Sequence, residues 1–155
     1  MGTDVLAGRR LLILAGALSA GIALLHVACI LIGPAAYRYF GAGERLASLA
    51  AAGSPVPALI TAGIAAVFAV FGLYAFSGAG LVPRLPLLRT GLIAVGAVFT
   101  PRGLFLPLEI MAMLARPGAI PSRELVFSAV SLVIGLAYLG GATIEWRRPG
   151  RRTVV

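Results

Sequence analysis

Three stretches of this chain run for twenty residues or more without a charge: Leu11 to Ile32 (22 residues), Val56 to Phe76 (21) and Leu125 to Ile144 (20). A hydrocarbon core about 30 Å thick is crossed by roughly 20 apolar residues rising 1.5 Å each, so each run has the length of a transmembrane helix. A fourth run, Thr90 to Ala115, is apolar except for Arg102 and Glu109. As one straight helix its 26 residues would reach about 39 Å. We read the span as Leu87 to Leu106, with the remainder at the interface and Pro101 able to kink it by displacing the Ala97 carbonyl.

The residues between the runs support this division. Gly33-Pro34 ends the first helix, and Ser54-Pro55 offers a cap and a first-turn proline to the second. Ser77-Gly78-Ala79-Gly80 stops the second, and Pro83 and Pro86 shape a tight connection to the third. Ser122 is a candidate cap for the fourth, with Glu124 favourably placed against the helix dipole. Residues 43–53 read as a short helix lying on the membrane surface. The 22-residue first run exceeds the 7 to 15 residues of a signal core, so Arg9-Arg10 before it reads as the flank of an uncleaved helix. The expected fold is an all-α integral membrane protein, a four-helix antiparallel bundle forming a single domain with a basic tail over 145–155.

Only 12% of the 155 residues are charged and 60% are hydrophobic, against about 25% charged in a soluble domain. All thirteen basic residues are Arg, and Lys, Asn and Gln are absent. That usage suggests a G+C-rich genome, hence a bacterial inner membrane. The net charge of +8 is scattered between apolar runs and forms no basic face, so nucleic acid is not the expected partner. Four spans put both termini on one side with Arg9, Arg10, Arg84, Arg89, Arg147, Arg148, Arg151 and Arg152. The other side holds Arg38, Arg45, Arg116 and Arg123. Both termini are therefore expected in the cytoplasm.

Depth orders the polar groups. Fifteen residues into the first and third spans, His26 and Arg102 lie about 22 Å up the core; Thr61 lies about 7 Å down from the opposite surface, and Ser128 and Ser131 about 5 and 9 Å. They share one layer beneath the outer surface, close to Arg38 and Glu109. Glu124, Ser128, Ser131, Gly135, Tyr138 and Ala142 form one helical stripe, and Ser19, His26 and Cys29 a weaker one, both expected to face inward. Gly16 with Ala20 and Ala17 with Gly21 are spaced for close helix contact. Tyr37, Tyr39, Phe40 and Trp146 suit an interfacial aromatic belt.

Each group has a structural and a functional reading. Arg102 either snorkels and pairs with Glu109 or joins His26 and the helix N-termini in an outward-facing site for an anionic group. His26 is either a packed, hydrogen-bonded side chain or a proton carrier. One His and one Cys cannot make a zinc site, and Cys29 alone cannot do disulfide chemistry. Asp4 is placed across the membrane from His26, so a Ser-His-Asp site is not expected. Haem held by His26 with Met111, or by His26 of two copies, is a weak third possibility. No cofactor or metal and no enzymatic activity is expected. The leading expectation is an accessory subunit or small-ligand or lipid binding module, with membrane lipids, a homo-oligomer or a larger complex as partners. A small transporter or channel using His26 and Arg102 is the alternative.

A helix-one carboxylate, as in small multidrug transporters, is missing, as are the asparagine motifs of fluoride channels and membrane glutathione transferases. The stretches Gly-Pro-Ala-Ala-Tyr-Arg-Tyr-Phe-Gly-Ala-Gly-Glu from Gly33, Gly-Leu-Tyr-Ala-Phe-Ser-Gly-Ala-Gly from Gly72 and Leu-Pro-Leu-Leu-Arg from Leu85 resemble a group of small four-helix inner-membrane proteins of proteobacteria. The resemblance covers most of the chain. It implies the same fold and carries no activity with it.

Overall fold

The computed structural model describes residues 2–118 and 120–146. Among the described residues the secondary structure is helical, with no strand: α1 (Gly2–Ile32), α2 (Pro34–Tyr39), α3 (Glu44–Ala51), α4 (Val56–Gly78), α5 (Leu88–Leu104), α6 (Leu106–Ala115) and α7 (Ser122–Trp146). Four stretches are long and apolar enough to cross a membrane: Val5–Ile32, Val56–Gly78, Leu88–Ala115 and Ser122–Thr143. The four expected runs are therefore helical, and the boundaries differ in instructive ways.

Helix α1 starts at Gly2, well before the uncharged run; Leu6, Ala7, Arg9 and Arg10 are good helix formers and outweigh Thr3, Asp4 and Gly8. Gly33, at φ +79°, takes the left-handed conformation that lets the chain leave α1 before Pro34. The six-residue α2 that follows was not anticipated. The Val56 amide donates to Ser54 Oγ (3.3 Å), the capping contact expected there. Ser122 is the first residue of α7 rather than its cap, and Glu124 stands in the first turn. Of the segment 43–53 expected to be a short helix, Glu44–Ala51 forms α3.

The run Thr90 to Ala115 is interrupted beside the Leu106 boundary read from the sequence, and not at Pro101, where a kink was expected. Helix α5 passes through Pro101 and ends at Leu104; α6 starts at Leu106 after Phe105. Pro101 removes one ladder bond, which an apolar helix survives. Pro107 removes the next, six residues on, and its ring crowds the Gly103 carbonyl. Two losses that close together interrupt the ladder.

The chain divides into two compact units. One comprises the described residues up to Gly16 and from Leu73 onward; the other is Ala17–Gly72. In the first, α5 and α7 pack antiparallel: a Cβ built on Gly103 would fall 2.5 Å from Leu132 Cα, one on Gly135 2.6 Å from Thr100 Oγ1, and one on Gly96 2.7 Å from the Leu139 side chain. Each advance along α5 is matched by a retreat along α7. Leu12, Leu92, Ile134 and Tyr138 fill the centre, and Gly16 lies against the Phe76 ring. Gly21, expected to make a similar contact, has nothing within 4 Å of its Cβ position. The approaches of one helix backbone to another depend on Gly103 and Gly135, in α5 and α7.

In the second unit, α2 and α3 pack together, with Ala36, Tyr37 and Ala47 buried. Tyr37 is thus an interior residue, not part of an aromatic belt. Tyr39 does lie outside, edge-on to Phe40 with centroids 5.0 Å apart. Across both units large aliphatic side chains are exposed, among them Leu24, Leu31, Leu59, Val98, Leu104 and Leu114. A surface of this kind suits lipid rather than water.

Candidate functional site

The interruption at Phe105 places Arg102, at the end of α5, near Glu109 in the first turns of α6. The Arg102 guanidinium donates from Nη1 to Glu109 Oε1 (3.1 Å) and from Nη2 to Glu124 Oε2 (2.7 Å). One planar fork thereby joins α5, α6 and α7, a geometry that Lys could not reproduce. Arg123 Nε stands 3.8 Å from Glu124 Oε1, so two arginines face two glutamates and their charges balance.

Two oxygen atoms of this region are unsatisfied. Glu109 Oε2 is buried without a hydrogen-bond partner, and so is the hydroxyl of Ser128, whose residue is fully buried one turn beyond Glu124. Other helix hydroxyls avoid this state by bonding one turn back: Thr61 to the Pro57 carbonyl (2.8 Å), Thr100 to Gly96 (2.7 Å) and Ser48 to Glu44 (2.8 Å). Ser128 does not. A buried unpaired polar group costs about 1–3 kcal/mol, so these two atoms need a further donor or acceptor. Ser131 lies half-buried on the same stripe of α7 as Glu124, Ser128, Gly135, Tyr138 and Ala142, of which the last four are buried. The inward-facing stripe expected from the sequence is present.

The remaining candidates belong to the second unit and have local partners. His26 Nδ1 lies 2.8 Å from the Ile22 carbonyl. A carbonyl only accepts, so Nδ1 is the donor of this bond. The ring tilts 33° against Phe68 at 5.2 Å. Thr61 spends its single proton on Pro57 and lies 3.3 Å from the Tyr37 phenol, from which it accepts. Arg38 grips Glu44 with Nε 3.1 and 3.2 Å and Nη2 3.0 Å from the carboxylate oxygens, at an exposed position. Those hydrogen bonds hold the Glu44 carboxyl below its ordinary range and raise the guanidinium.

The structure therefore brings Arg102 and Glu109 together, as the structural reading of Arg102 expected, and adds Glu124, which was placed in the first turn and on the inward stripe of the fourth span but not paired with Arg102. Its place at the head of the Ser128 stripe was the available signal. Among the described residues no group of three or more His, Cys, Asp or Glu side chains is arranged to hold a metal ion. Residues Arg147 to Arg152 of the basic tail lie outside the described residues. No protein-family model, curated protein or solved structure matches this chain.

Proposed function

We propose that this is a small multi-pass protein of a bacterial inner membrane, both termini cytoplasmic, acting without catalysis as an accessory subunit or small-ligand binding module. It stands with the small proteobacterial four-helix proteins it resembles. Its site is the polar cluster at the α5–α6 interruption. The observation that carries this reading is the pair of buried, unpartnered atoms, Glu109 Oε2 and Ser128 Oγ, beside an arginine already held by two carboxylates. Because the charges there balance, the cluster suits a ligand that both donates and accepts hydrogen bonds better than the anion first considered.

The interruption itself favours a transporter, since broken helices often line substrate paths. Such a path would also need polar groups in the inner half of the membrane. There Ser77 and Tyr74 already bond to the α4–α5 connection, and Ser19 and Tyr138 are buried. The binding role is therefore preferred.

Native mass spectrometry from mild detergent tests it. A retained small molecule or partner is expected, lost in Glu109→Gln and Ser128→Ala while the folded protein survives. Ligand and folded protein lost together would make the cluster structural.

A further inference from the structure

The connection between α4 and α5 is held in place to a degree its length does not require. Ser77 Oγ donates to the Pro83 carbonyl (2.9 Å) and accepts from the Leu85 amide (2.9 Å); Tyr74 donates to the Pro86 carbonyl (3.2 Å). Arg9 Nε donates to the Ala79 carbonyl (3.2 Å), bringing the basic start of α1 to the same connection. Pro83 and Pro86 fix their own φ. What this frame presents outward is specific: Arg84 is exposed, Leu81 is 50% exposed and Leu87 77% exposed.

Leu87 is also strained. Its φ of +52° is the one positive value at a non-glycine among the described residues, a conformation that Gly or Asn adopts far more readily. A leucine kept there with its side chain in the open is not explained by packing. Strain held by surrounding structure points toward function. No Asp or Glu occurs between Glu44 and Glu109, so the connection has no carboxylate of its own to occupy Arg84.

We propose that the α4–α5 connection, with Arg10 of α1, is a headgroup site for an anionic phospholipid. Arg84 and Arg10 take the phosphodiester, while Leu81 and Leu87 lie along the start of the acyl chains. Arg9 positions the connection through Ala79. Arginine at headgroup depth flanked by aliphatic side chains matches both halves of such a lipid, and basic groups between helix ends are suited to this chemistry. The site rests on the reading of the chain as membrane-spanning.

The test is native mass spectrometry of the full chain titrated with phosphatidylglycerol or phosphatidylethanolamine, with thermal unfolding measured in parallel. The wild type should retain phosphatidylglycerol preferentially. Arg84→Gln combined with Arg10→Gln should lower that retention at least fivefold and leave phosphatidylethanolamine unchanged. Leu87→Gly should raise the Tm yet lower phosphatidylglycerol retention at least twofold, a divergence that a purely structural role does not give. Equal retention of the two lipids, or unchanged retention in the double variant, overturns the proposal, as does displacement by glycerol phosphate alone, which would indicate a free-phosphate site. Failure with a protein that still requires detergent removes only the lipid site. A chain that purifies without detergent removes the membrane reading beneath it.

Discussion

Gly103 and Gly21 are both helical glycines, and the structure assigns them opposite consequences. A methyl on Gly103 would overlap the backbone of Leu132, which has no flexible end to move aside. Gly103→Ala should therefore destabilise the protein by about 1–3 kcal/mol, read as a lower Tm in detergent. Gly21 has open space at its Cβ position, so Gly21→Ala should leave stability unchanged or raise it by about 0.5–1 kcal/mol through helix propensity. At the exposed Arg38–Glu44 pair the effect is one of pH. Because the Glu44 carboxyl titrates below its unfolded value, its contribution is complete above the ordinary glutamate range and disappears as pH falls through the lowered value. Carbon-detected NMR titration of Glu44 should show the depressed midpoint, and Arg38→Gln should return it toward the usual range.

The three-helix junction at Arg102 operates at the scale of elements. Removing the guanidinium leaves Glu109 and Glu124 without their shared cation; with Arg102 39% exposed, Arg102→Ala should cost about 1–3 kcal/mol. Adding Glu109→Gln should recover part of that loss, and a double-mutant cycle on thermal unfolding measures the coupling. The helices themselves were legible because span length depends on run length, which is read directly along the chain. The end of α5 was read nearly in place, at Leu106, but its cause was not, since the kink was expected at Pro101 and the break depends on the combined loss of ladder bonds at Pro101 and Pro107. Glu124 escaped for a related reason: a first-turn acid suits its own helix equally well whether or not an arginine of a neighbour reaches it. The Arg102–Glu109 pair was visible because these are the two charges within the run Thr90 to Ala115, where opposite charges pair rather than face lipid.

For the whole molecule, the arginine distribution predicts that reporter fusions at the two ends both report the cytoplasm; opposite compartments would contradict the even number of crossings on which the site's depth depends. The interior is small, with many alanines and glycines at the helix contacts and most large aliphatic side chains outside. Cys29 is a product of that arrangement: the chain's single thiol, buried on α1. Burial slows its reaction with a thiol reagent, so the rate rises when the structure around it opens. The unmodified protein therefore contains its own clock for structural opening, and slowed alkylation on addition of a candidate ligand would register binding without any engineered label.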